Sequence, residues 1–257
     1  MALLEVDEVS VRFGGVVAVA SATFEVEEGR IVGLMGPNGA GKTTLFNVIT
    51  GLQEPTSGRV RFDGQDVSSV PPRLRAQRGI GRTFQRLEVF GSLSVGDNIR
   101  VAAEMRGGRA TERPEVTRDR LLDRVGLLAF ADVPADAVPT GIARLTELAR
   151  ALAVEPRLLL LDEPSSGLNE EETAAFAVLI RSLAEDEGRS VLIVEHDVEL
   201  VLGLCSTIHV LDFGQVIASG PPDTIASNKR VQDAYLGAES MADAVVDARV
   251  DVLAVDA

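Results

Sequence analysis

The sequence predicts an α/β protein whose central strands are buried on both faces, and three stretches predict it. The first is a short apolar run, Ile31-Val32-Gly33-Leu34-Met35, followed by Gly36-Pro37-Asn38-Gly39-Ala40-Gly41-Lys42-Thr43-Thr44. Leu45, Phe46, Val48 and Ile49 then repeat at helical spacing until Gly51, so strand, glycine loop and helix follow one another. The second is Leu158-Leu159-Leu160-Leu161, which ends abruptly in Asp162-Glu163-Pro164. The third is Val191-Leu192-Ile193-Val194, ending in Glu195-His196-Asp197. Unbroken apolar runs of this length suit parallel strands covered on both sides. Ligands of such sheets bind at the carboxyl ends of the strands, where these polar clusters emerge.

The glycine loop satisfies the G-x-x-x-x-G-K-[ST] pattern, and its composition follows from phosphate chemistry. Glycines let successive N–H groups curl toward phosphate oxygens, and the helix start adds its positive dipole end. Lys42 supplies a point charge between the β- and γ-phosphates, and the Thr43 hydroxyl is placed to ligand Mg²⁺. A chance glycine-rich turn would match the pattern without the flanking strand and helix.

At 257 residues and 46% hydrophobic, the chain can bury one large α/β core or two subdomains. A net charge of −14 and aromatics at only 4% argue against nucleic-acid binding. The single Cys205 excludes an intrachain disulfide framework, and its surroundings predict a small buried side chain. Met1-Ala2-Leu3-Leu4-Glu5 lacks the order of a signal peptide, and no apolar run is long enough to span a bilayer. The expectation is a cytosolic chain without direct membrane insertion.

In chain order, residues 3–13 and 17–26 read as alternating strands joined at Gly14-Gly15. Spacing alone assigns Phe13 to the core. Arg59-Val60-Arg61-Phe62 is a strand closed by the hairpin turn Asp63-Gly64. Residues 71–84 are basic and carry no assigned element. Helices are expected at 94–106, capped by Ser94 with Asp97 three residues on, at 117–129 and at 142–153. Residues 107–114 read as a polar connector. A helix at 170–186 and a hairpin over Ile208–Asp212 and Val216–Ala218 follow. The acidic tail from Ala238 to Ala257 is expected to be frayed or weakly helical.

Together these clusters make a constellation: Asp162 to hold Mg²⁺, Glu163 to polarise the attacking water, and His196 to touch the γ-phosphate. At this point the sequence resembles the ATP-binding-cassette (ABC) ATPases over residues 4 to about 237. The resemblance rests on the loop at 36–44, Gln85 as the Q-loop glutamine, Leu158–Glu163 as Walker B, Ser166-Gly167-Leu168-Asn169 as the D-loop and His196 as the H-loop histidine. Gly141 occupies the signature position ahead of Walker B. The resemblance implies a P-loop NTPase (RecA-like) core at 1–85 and 154–237, with an antiparallel β subdomain and an inserted α-helical subdomain at 86–153. It implies ATP and Mg²⁺ as cofactors, with Thr43, Gln85 and Asp162 at the metal. Glu163, His196 and Gln85 are its catalytic side chains. Gly36 to Thr44 and Gly141 become nucleotide contacts, and Phe13 becomes the residue that stacks on adenine.

Gly79-Ile80-Gly81-Arg82-Thr83-Phe84-Gln85, Val89 to Asn98, Val194-Glu195-His196-Asp197 and Ala234-Tyr235-Leu236-Gly237 resemble the ATPase subunits of branched-chain amino-acid uptake transporters. Relatives importing urea or amides share much of this wording. The implied partners are transmembrane permease subunits at the inner face of the cell membrane and a second ATPase subunit. Leu87, Val89, Phe90 and Leu93 form either a docking patch for the permease or part of the helical subdomain's interior. A cassette without a transporter and an ATP-gated module with weak hydrolysis are the competing readings. One departure stands out. Where the family reads Leu-Ser-Gly-Gly-Gln, this chain has Val138-Pro139-Thr140-Gly141-Ile142. The serine hydroxyl and the glutamine are gone, and Pro139 lacks an N–H. In a head-to-tail dimer each signature completes the partner's site, so the departure favours a heterodimer over a homodimer.

Overall fold

The computed structural model describes residues 1–106 and 112–235. The expected tail and most of the connector at 107–114 lie outside them. The chain divides into two compact units: Met1–Pro72 joined to the chain from Arg181 onward, and Arg73–Ile180.

The first unit opens with β1 (Ala2–Phe13), β2 (Val16–Glu27), β3 (Ile31–Met35), α1 (Lys42–Thr50), β4 (Ser57–Phe62) and β5 (Gln65–Asp66). It resumes with β8 (Ser190–Val194), α7 (Val198–Leu204), β9 (Thr207–Asp212), β10 (Gln215–Gly220), α8 (Pro222–Ala226) and α9 (Lys229–Ala234). An antiparallel sheet runs in the order β2-β1-β4-β5. In a second sheet β3 pairs in parallel with β8 on one side and β9 on the other, and β10 closes it as an antiparallel hairpin with β9. Every residue of β3 and β8 is buried, as their unbroken apolar runs require. Fully burying each such Val, Leu or Ile contributes about 1.5–3 kcal/mol. The strand pair β1–β2 matches the expectation, but Phe13 is 52% exposed at its tip. Alternation alone misplaced it, because the last residue before a tight turn has no neighbouring layer to bury against.

The second unit contains α2 (Pro72–Arg78), β6 (Ile80–Arg82), α3 (Val95–Glu104), α4 (Pro114–Arg124), α5 (Thr140–Ala153) and β7 (Leu158–Asp162). Helix α6 (Glu170–Glu185) carries the chain back to the first unit. Strand β6 pairs in parallel with β7, with Arg82 opposite Leu160. Ser94 caps α3 as expected, its hydroxyl accepting from the Asp97 N–H at 3.0 Å. The helix expected at 117–129 is instead Pro114–Arg124. Pro114 starts it at a position where the missing N–H costs nothing. The basic stretch 71–84 holds α2 and β6, both hidden by its charge and glycines. Cys205 is buried as predicted.

Candidate functional site

In the first unit the glycine loop is braced from behind. Gly36 adopts φ of 152°, and a Cβ there would lie 2.1 Å from the Leu211 carbonyl oxygen, so only glycine fits. The β9–β10 turn pins the loop to β2: the Gly214 N–H donates to the Ala40 carbonyl at 2.9 Å, and the Gly214 carbonyl accepts from the Ala20 N–H at 2.8 Å. Helix α1 begins after Gly41 without a side-chain cap. Its first N–H groups therefore remain suited to an anion. Lys42 is only 7% exposed; its Nζ donates to the Gly36 carbonyl at 2.5 Å and the Pro37 carbonyl at 3.1 Å. The Thr43 side chain is exposed and Thr44 half-buried.

A cavity of about 550 Å³ separates Pro37–Ala40 from Arg230 and Asp233 of α9. Beside it, burial pushes the Tyr235 phenol up to about 12, against the opposing pull of the Gly36 N–H. In the sequence Tyr235 stands out only within the run Ala234-Tyr235-Leu236-Gly237, because no local pattern ties it to a loop 199 residues earlier. His196 stands exposed on the bend after β8. The neighbouring Asp197 is spent on structure, accepting the Leu200 N–H at 3.0 Å to cap α7.

In the second unit the acidic cluster after β7 is held by Gln85, which the sequence marked, and by Arg82, to which it gave no role. Asp162 is buried, and the Arg82 Nη2 donates to its Oδ2 at 2.9 Å. Glu163 adopts φ of 50°, an uncommon conformation for a non-glycine residue that costs of order 1–3 kcal/mol and concentrates at functional sites. The Gln85 Nε2 donates to Glu163 Oε2 at 2.9 Å. Helix α5 grips the main chain around Gln85. Arg144 donates to the Phe84 and Gln85 carbonyls at 3.3 and 3.0 Å, and Glu147 accepts the Phe84 N–H at 3.1 Å. Burial pushes the Glu147 carboxyl above its ordinary value. Arg144 and Glu147 lie 59 to 63 residues from their partners; their polarity inside a helix of apolar spacing was the one available signal.

The signature position is the second residue of α5, which begins at Thr140 after Pro139 with no side-chain cap. A Cβ on Gly141 would lie 2.6 Å from Glu172 Oε1. The other oxygen of Glu172 accepts the Asn169 N–H at 2.9 Å, while the Asn169 side chain accepts the Glu172 N–H at 2.9 Å. This reciprocal pair caps α6.

No group of three or more His, Cys, Asp or Glu suited to a metal ion occurs among the described residues. Mg²⁺ does not need one, since it takes one or two protein oxygens and completes its shell with phosphates and water. Thr43 in the first unit and Asp162 in the second each carry a hard oxygen of the kind Mg²⁺ takes. With its amide nitrogen committed to Glu163, Gln85 retains its side-chain carbonyl for a cation.

A glycine loop ahead of an uncapped helix and a buried strand ending in two carboxylates are each features of nucleotide-hydrolysing cassettes, and similarity to known proteins gives the same class. The ABC transporter family description matches residues 19–166, and the chain belongs to that family of ATP-binding ATPases. A second description, branched-chain amino acid ATP-binding cassette transporter, matches residues 215–240. The chain is 37% identical over 249 residues to the high-affinity branched-chain amino acid transport ATP-binding protein BraF of Pseudomonas aeruginosa, covering 91% of this chain and 98% of that one. It is equally similar, at 37% over 249 residues, to the corresponding protein LivG of Escherichia coli K12. Among solved structures, the ADP conformation of the ATP-binding cassette MJ1267 superposes with a TM-score of 0.83 at 27% identity, covering 92% of this chain and 99% of that one. No helix among the described residues is long and apolar enough to cross a membrane.

Proposed function

We propose that the chain is the ATPase subunit of an uptake transporter for branched-chain amino acids or a related small polar solute such as urea or an amide. The observation that carries this reading is the likeness to branched-chain amino acid cassettes along nearly the whole length of those relatives, their C-terminal segment included.

In this reading the backbone of Gly36 to Thr44 holds the phosphates and Phe13 stacks on adenine. Lys42 leaves its own loop carbonyls for the β/γ-phosphates, exchanging neutral acceptors for charged ones. Thr43, Gln85 and Asp162 hold Mg²⁺, which when bound offsets the charge of the phosphates. Glu163 orients a water and accepts its proton, with Gln85 fixing the carboxylate. His196 contacts the γ-phosphate. Gly141 at the start of α5 serves the partner cassette's nucleotide. These steps need a pre-placed base and donors.

Transmembrane permease subunits hold the chain at the inner face of the membrane. Leu87 and Phe90, 37% and 48% exposed, form their docking patch, while Val89 and Leu93 are half-buried beneath. The eroded signature makes a second ATPase subunit with a fuller signature the favoured dimer partner. The test is to purify the chain with its membrane partners, identify them, and measure ATP turnover with and without branched-chain amino acids. Turnover indifferent to assembly and to every such solute would refute the proposal.

A further inference from the structure

Arg82 and Asp162 form an enclosed ion pair in the second unit, with side chains 7% and 2% exposed. The pairing is built by the strands themselves. Strands β6 and β7 run parallel with Arg82 opposite Leu160, so a long side chain from residue 82 reaches the carboxylate two residues further along β7. The Thr83 N–H donates to the Leu160 carbonyl at 2.9 Å, and the Asp162 N–H donates to Thr83 Oγ1 at 3.3 Å. The guanidinium also lies over the Phe84 ring, 4.9 Å from its centroid, one residue before Gln85. Burial depresses the Arg82 pKa, and Asp162 opposes that shift.

We propose that Arg82 is a positioning residue for the divalent cation. It holds the Asp162 carboxylate in place while no metal is bound, and it competes with the metal for that carboxylate. The inference rests on the reading of Asp162 as a metal residue. A buried carboxylate without a counter-charge is costly, so a chain that cycles between metal-free and metal-bound states needs a cation at Asp162 in the first state. Arginine meets that need with a planar fork fixed by strand and ring. In the second state the same positive charge faces a divalent cation and lowers its affinity. Arg82 thereby favours release of the metal with spent nucleotide.

The test is Mn²⁺ titration of the purified full-length chain with ADP, read by electron paramagnetic resonance, which requires no turnover. Arg82→Gln should lower the Mn²⁺ midpoint by about tenfold, the scale of one charge-assisted hydrogen bond. It should also lower the melting temperature of the metal-free chain and enlarge its stabilisation by Mn²⁺ with ADP. Arg82→Lys keeps the charge without the fork, so its midpoint should fall between wild type and Arg82→Gln. If Arg82→Gln does not fold, the Lys variant decides the matter. A midpoint unmoved or raised in the folded variant overturns the proposal. Asp162→Asn separates the two layers: a midpoint it leaves unchanged removes Asp162 from the metal site and the inference with it. A midpoint moved by Asp162→Asn but not by Arg82→Gln overturns the inference alone.

Discussion

The side-chain amide of Gln85 donates to Glu163 Oε2 at 2.9 Å, so the glutamine after β6 orients the carboxylate after β7 within one compact unit. Helix α5 holds the main chain at Gln85 through Arg144. A shift of that helix therefore moves the residue that sets the direction of Glu163.

Glu163→Gln should retain ATP binding and lose hydrolysis by roughly a hundred- to ten-thousandfold, the contribution of a positioned general base. The amide occupies the same space without accepting a proton, so bound ATP persists and a closed dimer should accumulate on size-exclusion chromatography. Hydrolysis near the wild-type rate would remove Glu163 from the catalytic role.

Lys42→Ala removes the cation of the glycine loop. Its ammonium sits on the Gly36 and Pro37 carbonyls, neutral acceptors that a triphosphate outbids. ATP affinity measured by calorimetry should fall about 10- to 100-fold, equivalent to about 1.5–3 kcal/mol for charge-assisted hydrogen bonds. Unchanged affinity would reject the loop assignment.

Phe90 is 48% exposed and lies under the Arg150 guanidinium, 4.5 Å from the ring centroid. Phe90→Glu should leave the chain folded, since an exposed side chain contributes little to the core. It should abolish co-purification with the permease, where losing an aromatic anchor costs about 2 kcal/mol or more. Normal assembly by this variant would assign the patch to the interior of its own subdomain.

The signature departure predicts asymmetry between subunits. Restoring serine at Pro139 and glutamine at Ile142 supplies a hydroxyl and an amide, so turnover of the assembled complex should rise about tenfold or more, the scale of one charge-assisted hydrogen bond. A native complex with two copies of this chain, or a restoration without effect on turnover, would count against the heterodimer.

His209 gives a pH signature in stability. Its ring bridges Ser219 Oγ at 2.8 Å and the Glu25 carbonyl at 3.1 Å. Burial holds its pKa below the ordinary 6.5. The unfolded chain therefore takes up this proton first as pH falls, so the contribution is complete above pH 6.5 and declines below it. Melting temperature should fall as pH drops below 6.5 toward the lowered folded-state pKa, and His209→Gln should flatten that step while keeping a donor for the Glu25 carbonyl. An identical pH profile in the variant would reject the assignment.

The elements legible in the sequence are those whose pattern is local. Leu158–Leu161 and Val191–Val194 read as buried strands because nothing interrupts their apolar runs, and Ser94 with Asp97 marked the start of α3. Phe13 defeated periodicity, since turn geometry decides its exposure. Strand β6 was hidden because three residues containing a glycine and an arginine carry no β signal. The side chains that organise the site are the least visible. Arg82 finds Asp162 across 80 residues and Glu147 finds Phe84 across 63, and only the pairing of strands and the packing of α5 bring them together.

Gly141 faces the Glu172 carboxylate. A side chain there would run into Glu172, whose carboxylate is tethered by the Asn169 N–H. The glycine therefore leaves room for the Glu172 carboxylate inside its own subunit, and a side chain there would push that carboxylate off the Asn169 N–H. Glycine at 141 thus serves a contact within its own subunit as well as any contact with a partner's nucleotide. A substitution at 141 would disturb the α6 cap before it reported anything about the neighbouring subunit.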